Sequence, residues 1–235
     1  MQFGALGDIH GDFGSVRRIA ARHPGIPFWL CVGDVATADG RYEPFPAPVY
    51  FIKGNNENFD VLGELPDLES PACTVRGNLF FIPNGRLTGV GRPVEGPCLQ
   101  VAGLGGTFAP TWYETPPAAL PHPKKGSAKA TELADKRRHF VREEVDACMA
   151  MRGVDVLLTH EAPRPFKVGR LEAGKATVNE VLAAMRPRLH LFGHHHRFSE
   201  QEREGVRSVG LDLVSRSYLL IEAETLEYHV LTTDG

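Results

Sequence analysis

The sequence predicts an α/β fold in which polar, metal-binding side chains collect at the carboxyl ends of strands. Short apolar segments recur along the chain, and five of them are followed at once by side chains that can coordinate a metal ion. Between the first two segments, residues 13–21 carry apolar side chains at helical spacing. Strand, helix and strand at this spacing form a βαβ unit with parallel strands. In such sheets, ligands bind beyond the carboxyl ends of the strands.

The composition is that of one ordinary globular domain, and we treat residues 1–235 as a single domain. Hydrophobic residues make up 42% of the chain and charged residues 23%, which provides enough apolar material for a core. The net charge of −3 argues against nucleic-acid binding by overall charge, although it allows a local basic patch. The four cysteines are scattered and form no Cys-x-x-Cys pair, as in a reducing compartment.

The sequence contains no segment that predicts a membrane location. No apolar run approaches the roughly 18 residues that are needed to span a bilayer. The chain begins directly with a strand pattern, and no basic and apolar leader precedes it. We therefore expect a cytoplasmic protein that has no membrane partner.

The apolar segments predict strands at residues 3–6, 28–32, 49–52, 73–75, 79–82, 87–90, 99–102, 154–158, 189–192, 217–222 and 226–231. Helices are predicted at residues 13–21, 56–62, 130–152 and 177–185. Asn55 or Asn56 is expected to cap the second helix. The strands between residues 72 and 102 are separated by turns, including the hairpin-type turn Asn84-Gly85, and we assign them to the edge of the domain and a second sheet.

The first predicted strand ends in the sequence Gly7-Asp8-Ile9-His10-Gly11. Side chains alternate along a strand, so Asp8 and His10 lie on the same side and can reach one metal ion. Alone, an Asp-x-His sequence is more commonly a hydrogen-bonded pair than a pair of ligands. The second and third strands, however, also end in oxygen-bearing side chains, Asp34 and Asn55. Because the carboxyl ends of parallel strands share one edge, these four side chains converge.

Two later strands end in histidine: His160 follows one, and His194 and His196 follow the other. The strand ends together offer seven donors, namely Asp8, His10, Asp34, Asn55, His160, His194 and His196. A mixed set of carboxylate, imidazole and amide suits manganese, iron or zinc better than magnesium or calcium, and we expect manganese first. Seven ligands, one of them a carboxylate able to bridge, imply two ions.

A long loop and a basic helix occupy residues 103–152 of the domain. The segment from Gly103 to about Ser127 is irregular and rich in proline, and loops of this length are usually functional or disordered. Residues 124–142 contain seven basic and two acidic side chains, a net charge of +5. Two interpretations are open: a solvated helix face, or a patch in which Arg137 and Arg138 hold substrate phosphate.

The order and spacing of the candidate ligands resemble the signature of the calcineurin-like metallophosphoesterase superfamily. The matching motifs are Gly7-Asp8-Ile9-His10, Gly33-Asp34, Gly54-Asn55-Asn56-Glu57, His160 and Gly193-His194-His195-His196. The resemblance implies a two-sheet β-sandwich flanked by helices, with a dinuclear metal site at the carboxyl ends of the strands. It assigns one ion to Asp8, His10, Asp34 and His196. It assigns the other ion to Asp34, Asn55, His160 and His194, with Asp34 bridging and His195 directed away.

For function, the resemblance implies a metal-dependent phosphoesterase, which is a hydrolase, and we expect a phosphodiesterase. A bridging water activated by the two ions would attack phosphorus, with Asp34 and Asn56 as catalytic residues. The partner would be a phosphate-ester substrate, with nucleotides and RNA as candidates. Residues 103–108 and 136–140 also resemble the lariat-debranching branch of the superfamily, which carries cysteine where this chain has Asp8.

Asn56 departs from the family motif, which has histidine at this position. That histidine is thought to protonate the leaving group or to steady the phosphate, and asparagine cannot act as an acid at neutral pH. Loss of a general acid typically slows a reaction roughly 100- to 10,000-fold. Three alternatives remain open: a slow esterase, an esterase that uses His122 or His139 as its acid, or a metal-bound scaffold whose partner is another protein.

Overall fold

The computed structural model describes residues 1–66, 72–91, 98–123 and 135–234. The described strands are, in chain order, β1 (Gln2–Leu6), β2 (Trp29–Cys31), β3 (Val49–Phe51), β4 (Cys73–Arg76), β5 (Leu79–Phe81), β6 (Leu87–Val90), β7 (Leu99–Leu104), β8 (Thr107–Phe108), β9 (His139–Phe140), β10 (Val156–Thr159), β11 (Lys167–Val168), β12 (Leu171–Glu172), β13 (Leu189–Phe192), β14 (Ser199–Arg203), β15 (Val206–Gly210), β16 (Ser217–Glu222) and β17 (Tyr228–Thr232). The described α-helices are α1 (Phe13–Arg22), α2 (Phe59–Gly63), α3 (Arg142–Ala150) and α4 (Ala176–Met185). Short 3-10 helices cover Pro117–Ala119 and Lys136–Arg138.

Two large sheets face each other, and each has four parallel strands at its centre. The first has the order β17-β16-β1-β2-β3-β5-β4, in which β1, β2, β3 and β5 are parallel. The second has the order β14-β15-β13-β10-β7-β6, in which β15, β13, β10 and β7 are parallel. The side chains that follow β2 and β10 meet, so the carboxyl ends of both parallel sets lie at the same end of the sandwich. The predicted two-sheet α/β fold is confirmed.

The core between the sheets follows from the alternation of side chains along each strand. In β1, Phe3 and Ala5 face the second sheet and join the cluster that contains Leu158 and Leu191, whereas Leu6 packs on the outer side of the first sheet. Each fully buried leucine contributes about 1.5–3 kcal/mol of hydrophobic free energy. The parallel strands are therefore apolar on both faces, which is why they are recognisable in the sequence.

Helices cover the outer faces of both sheets. On the first sheet, α1 packs through Val16 and Ile19. On the second, α3 and α4 pack together through Val145 and Val181. Asp12 caps α1, since its Oδ1 accepts a hydrogen bond from the Ser15 N–H at 3.0 Å. Each helix thus begins near the end of the sandwich at which the candidate ligands lie, or packs behind the strands that carry them.

The helix predicted over residues 130–152 forms only in its second half. Residues 130–134 lie outside the described residues. Residues 136–138 form a 3-10 helix, residues 139–140 form β9, and α3 begins only at Arg142. Residues 136–140 therefore form a 3-10 turn followed by a short strand, and the prediction of one continuous helix over residues 130–152 is wrong.

Two contacts explain why the helix begins late. The Nζ of Lys53 donates hydrogen bonds to the carbonyls of Arg137, at 3.1 Å, and His139, at 3.0 Å. These carbonyls are the groups that a helix would use for its own hydrogen bonds. The side chain of Glu144 then accepts a hydrogen bond from the Val141 N–H at 3.0 Å, which favours a helix start at this point.

The turn at Asn84-Gly85 does not join neighbouring strands, which corrects the predicted hairpin. β5 belongs to the first sheet and β6 to the second, so the turn carries the chain from one sheet to the other. Gly85 has a φ of 73°, a left-handed value that glycine adopts without strain. The turn chemistry is visible in the sequence, but the neighbours of β5 in its sheet are β3 and β4, and not β6.

The prediction omits the β14–β15 hairpin and misplaces α2. β14 has the sequence Ser-Glu-Gln-Glu-Arg and contains no apolar residue, because it lies at the edge of the second sheet and is largely exposed. α2 begins at Phe59, because Asn58 caps it by accepting a hydrogen bond from the Val61 N–H at 3.1 Å. None of the described helices is long and apolar enough to cross a bilayer.

Candidate metal centre

The predicted ligands follow β1, β2 and β3 of the first sheet and β10 and β13 of the second. Two glycines allow the backbone to pack directly against buried carboxylates. A Cβ atom on Gly54 would lie 1.9 Å from Oδ1 of Asp34, and one on Gly193 would lie 2.3 Å from Oδ1 of Asp8. No other residue type fits at these positions without moving the carboxylates.

Asp8, His10 and His196 form the first group of donors. Nε2 of His196 lies 3.1 Å from Oδ2 of Asp8 and 3.1 Å from Nε2 of His10. This group lies on the open side of the site, where the side chains of His10 and His196 are 34% and 41% exposed.

Asp34 lies between this group and a second, buried group. Its Oδ2 is 3.6 Å from Nε2 of His10 on one side and 3.6 Å from Nε2 of His160 on the other. Nε2 of His160 also lies 3.0 Å from Oδ1 of Asn55. Asp8, Asp34 and His160 are all buried and present their donor atoms within 4.8 Å of one another. Asp34, to which the resemblance assigns the bridging role, thus approaches one histidine of each group, and Asp8 belongs to both groups.

The orientation of His160 is fixed by the backbone of the first sheet. Its Nδ1 lies 2.8 Å from the carbonyl oxygen of Val32, which can only accept, so Nδ1 carries the hydrogen. Its Nε2 faces two further acceptors, Oδ1 of Asn55 at 3.0 Å and Oδ2 of Asp34 at 3.6 Å, so this nitrogen also carries a hydrogen, whose place a bound metal ion would take. Burial would lower the pKa of His160, but the charges of Asp8 and Asp34 raise it above its usual value. Metal-binding histidines are commonly oriented by such a hydrogen bond to a carbonyl.

His194 lies beside the cluster, and among the described residues it joins neither three-donor group. Its ring centroid is 4.9 Å from that of His160, and its backbone N–H donates to Oδ2 of Asp8 at 2.9 Å. Burial, and secondly the charge on His160, lowers the pKa of His194 to about 3, so its ring is neutral. The next residue, His195, stacks on Phe166 with ring centroids 4.5 Å apart.

The chemistry and spacing of these donors fit divalent transition-metal ions. Bonds of about 2.0–2.2 Å to nitrogen and oxygen place neighbouring ligands roughly 3.0–3.5 Å apart. The five donor pairs in direct contact are 3.0 to 3.6 Å apart. Furthermore, Oδ1 of Asp8 is buried and has no hydrogen-bond partner among the described residues, as expected of an oxygen reserved for an ion.

Four of the predicted ligands have left-handed backbone conformations. The φ angles are 47° for His10, 51° for Asp34, 70° for His194 and 48° for His196. Such conformations are uncommon for residues other than glycine and cost on the order of 1–3 kcal/mol each. They cluster at functional sites, where the surrounding structure holds them. The concentration of these backbone conformations at the predicted ligands is evidence for a functional site. This evidence is independent of the chemical identity of the donor side chains.

Asn56 holds the central carboxylate. Its backbone N–H donates to Oδ1 of Asp34 at 2.7 Å, and its Nδ2 donates to Oδ2 at 2.8 Å. Burial would raise the pKa of Asp34, but His160, the two Asn56 donors and His10 bring it below its usual value. Asp34 is therefore ionised at neutral pH, as a bridging ligand must be.

Glu57 connects the loops that carry Asp34 and Asn55, a role that the sequence analysis missed. Its carboxylate accepts hydrogen bonds from the backbone N–H of Val35 at 2.9 Å and of Gly54 at 3.4 Å, and from the Tyr42 hydroxyl at 2.8 Å. Burial raises the pKa of Glu57 to about 7 despite these donors. Glu57 belongs to the same sequence motif as Asn55, and this proximity in the sequence was the signal that could have indicated its role at the site.

A cavity of about 650 Å³ opens over the donor cluster. The described residues that line it include His10, Asn55, Asn56, Arg137 and Arg138. The two arginines of the predicted basic patch therefore lie at the candidate site. The two histidines considered as replacement acids do not line this cavity: His122 contacts the Leu120 carbonyl, and His139 contacts the Thr107 hydroxyl.

The chain belongs to the calcineurin-like phosphoesterase superfamily, whose domain model matches residues 1–211. The fold, the order of the strand-end donors and their convergence agree with this assignment. The protein is accordingly a phosphoesterase of the metal-dependent type by family. Among curated proteins, no sequence matches the chain significantly.

Solved structures of similar fold come from several organisms. The TT1561 protein of Thermus thermophilus is 16% identical, with a TM-score of 0.63, and the match covers 99% of this chain and 98% of that one. A dimetal phosphatase from Danio rerio is 11% identical, with a TM-score of 0.57 and 99% coverage of both chains. GAP50 of Plasmodium, an anchor in the inner membrane complex, is 13% identical, with a TM-score of 0.52 and coverage of 99% and 88%. At these identities the likeness concerns the fold.

Proposed function

We propose that the protein is a metal-dependent phosphodiesterase that holds two divalent ions between its sheets. The observation that carries the proposal is the position of Asp34, whose Oδ2 lies 3.6 Å from an imidazole nitrogen on each side. Membership of the family supports the hydrolysis of a phosphate ester. One ion would be held by Asp8, His10, Asp34 and His196, and the other by Asp34, Asn55, His160 and His194.

Bound ions, with manganese expected first and iron or zinc as alternatives, would supply Lewis acidity and an activated water. The chain itself keeps the donors in position. Asn56 holds Asp34 through two hydrogen bonds, and the Val32 carbonyl fixes the ring of His160. His10 is the one histidine among the described residues that line the cavity, and it belongs to the donor cluster. Among the described residues, the cavity therefore offers no histidine outside the donor cluster to protonate the leaving group, which favours acidic leaving groups.

A second cavity supports a diester as the substrate. This cavity has a volume of about 500 Å³ and shares Phe59 and Arg137 with the cavity over the donors. Its lining also includes Leu62, Phe81, Pro83, Arg86, Pro117 and Leu120. A phosphodiester has two ester arms, so one arm can occupy this cavity while the phosphate lies at the donors. Aromatic and apolar walls suit a planar ring. Nucleotide diesters, including short RNA, are therefore the first natural substrates to test.

A metal-bound scaffold is the second candidate function. It is favoured by Asn56, whose side-chain amide donates to Asp34 and cannot supply a proton to a leaving group. A scaffold would retain its ions and its fold but would not hydrolyse even an activated ester.

The decisive test is hydrolysis of bis(p-nitrophenyl) phosphate by the manganese-loaded protein. Nitrophenolate leaves without help from an acid, so the absence of the family histidine does not limit this reaction. Asp34→Asn should abolish turnover. Asp234→Asn, at a position whose side chain is 84% exposed, should leave it unchanged.

Two outcomes would contradict the proposal. Faster hydrolysis of p-nitrophenyl phosphate than of the diester would assign the protein to the monoesterases. Absence of turnover in a protein that demonstrably holds two ions would favour the scaffold.

A further inference from the structure

Arg138 is a cationic side chain without a partner in the cavity over the donor cluster. No hydrogen bond or ion pair joins its guanidinium to another described residue, although it is half-buried. The neighbouring arginines are different. Arg137 pairs with Asp60 at 2.6 Å and with Asp135 at 2.5 Å, and Arg142 pairs with Glu114 at 2.5 Å. Of the two arginines in the predicted phosphate patch, Arg137 is therefore neutralised, and Arg138 keeps its charge and its donors available.

The backbone around Arg138 is fixed on both sides by one buried lysine. The Nζ of Lys53 donates to the carbonyl of Arg137 at 3.1 Å and to the carbonyl of His139 at 3.0 Å. The Lys53 side chain is only 12% exposed and lies 3.6 Å from Glu144. A lysine amine at this depth is costly unless it is partnered, and here two hydrogen bonds and the nearby carboxylate of Glu144 compensate it.

Lys53 also connects Arg138 to the strand end that carries two of the candidate site residues. It is followed directly by Gly54, Asn55 and Asn56. The Lys53 carbonyl accepts a hydrogen bond from the Gly106 N–H at 2.7 Å. A Cβ atom on Gly106 would lie 2.6 Å from the carbonyl oxygen of Arg138, so the two segments are in close contact. The position of Arg138 relative to Asn56 is thus set by a short series of direct contacts.

We propose that Arg138 binds the phosphoryl oxygens of the substrate and that Lys53 is its positioning residue. This inference rests on the proposed function and specifies how the phosphate is held. A guanidinium presents paired N–H donors that match two phosphate oxygens, and it remains charged at every relevant pH. It transfers no proton. It stabilises the negative charge that develops on the phosphoryl group, a task that asparagine at position 56 performs poorly.

The test is calorimetric binding of inorganic phosphate to the manganese-loaded protein, with the metal content matched between variants. Removing one charged hydrogen-bond donor from a phosphate typically weakens binding about 10- to 100-fold. Arg138→Ala should weaken phosphate binding by this factor, and Arg138→Lys should restore part of it. Arg22→Ala, at the last residue of α1, is the matched control and should bind phosphate like the wild type. Equal affinities for wild type and Arg138→Ala would overturn the proposal.

The role of Lys53 requires a double-mutant cycle. If Lys53 acts through Arg138, Lys53→Met alone should weaken phosphate binding. The double variant, Lys53→Met with Arg138→Ala, should then bind no more weakly than Arg138→Ala alone. Additive losses would show that Lys53 acts independently of Arg138. If Lys53→Met does not fold, Glu144→Gln takes its place in the cycle, because this substitution removes the ion pair of the Lys53 amine.

This measurement separates the present proposal from the proposed function. If the wild type binds phosphate but does not hydrolyse the diester, the proposed phosphodiesterase activity is contradicted. Weaker phosphate binding by Arg138→Ala would then still support the role of Arg138 in holding phosphate. If the wild type and Arg138→Ala hydrolyse the diester at the same rate and bind phosphate with the same affinity, only the role of Arg138 is contradicted.

Discussion

Asn56 donates to both carboxylate oxygens of Asp34, at 2.7 Å through its backbone N–H and at 2.8 Å through its side-chain amide. The position at which the family motif has histidine therefore serves, in this chain, to hold the central carboxylate. The side chain stabilises the ionised form of Asp34 and has no proton to give. Selectivity for leaving groups is the property that this substitution is expected to change most.

Asn56→His should restore a general acid at this position. A general acid typically contributes 100- to 10,000-fold, and most for poor leaving groups. We expect the rate for a dialkyl phosphodiester, whose leaving group is an alkoxide, to rise at least about 10-fold in the variant relative to the rate for bis(p-nitrophenyl) phosphate. The measurement is kcat/KM for both substrates at matched metal content. Asn56→Ala controls for loss of the hydrogen bond to Asp34. An unchanged ratio in Asn56→His would show that a histidine at position 56 does not protonate the leaving group in this chain.

The two donor groups should release their ions at different rates. The side chains of His10 and His196 are 34% and 41% exposed, whereas His160 is fully buried. An ion on the open side can be reached by a chelator without movement of the sheets, and an ion on the buried side cannot. Treatment of the manganese-loaded protein with EDTA should therefore remove one equivalent quickly and the second much more slowly, as followed by elemental analysis. Simultaneous loss of both ions would contradict this prediction.

Glu57→Ala should destabilise the protein even without metal. The substitution leaves the buried N–H of Val35 and the hydroxyl of Tyr42 without their acceptor. A buried polar group left unpaired costs about 1–3 kcal/mol, so we expect the free energy of unfolding to fall by about 2–3 kcal/mol. Urea denaturation of the metal-free protein measures this value. Glu64→Ala, an exposed acidic residue at the end of α2, should change stability by less than about 0.5 kcal/mol.

His190 should make the protein less stable in acid. Its Nε2 contacts the hydroxyl of Thr159 at 2.8 Å, and its Nδ1 contacts that of Ser208 at 2.9 Å. Thr159 donates to the Glu161 carbonyl, so it accepts from Nε2–H, and the neutral ring accepts from Ser208. Burial lowers the pKa of His190 to about 3.

Below the usual pKa of histidine, about 6.5, the imidazole therefore binds a proton in the unfolded chain but not in the folded chain. The free energy of unfolding consequently falls as the pH decreases. Between pH 6.5 and 5 the loss from this residue should be about 2 kcal/mol. His190→Gln should remove that part of the pH dependence in urea denaturation, whereas His229→Gln, at an exposed position of β17, should retain it. Equal pH slopes for the wild type and His190→Gln would show that the ring is protonated in the folded state.

The convergence of the strand-end donors is predictable because each motif is local. Asp8, Asp34 and His160 each follow a strand that is mainly apolar and largely buried, and parallel topology brings such ends together. The difference between Arg137 and Arg138 is only partly local. Asp135 lies two positions before Arg137, but Asp60 lies 77 positions away, and no helical or strand periodicity reports that contact.

The late start of α3 has the same kind of cause. The charge and apolar spacing of residues 130–152 favour a helix, and the carbonyls of Arg137 and His139 are taken instead by Lys53, 84 and 86 positions away. Local propensity is a weak prior that tertiary contacts override. The edge strand β14 was not predicted for the opposite reason. A strand that buries little of its side-chain surface needs no apolar residues and therefore shows no apolar pattern in the sequence.

The open donor group joins His10 to His196, 186 positions apart in the sequence. On the ribosome, a nascent chain therefore lacks this group until His196 has been synthesised, however early the first sheet begins to form. The open position can load only after that point. An ion bound there links two segments that are distant in the sequence and, by mass action, favours the folded state over any partly synthesised or partly unfolded one.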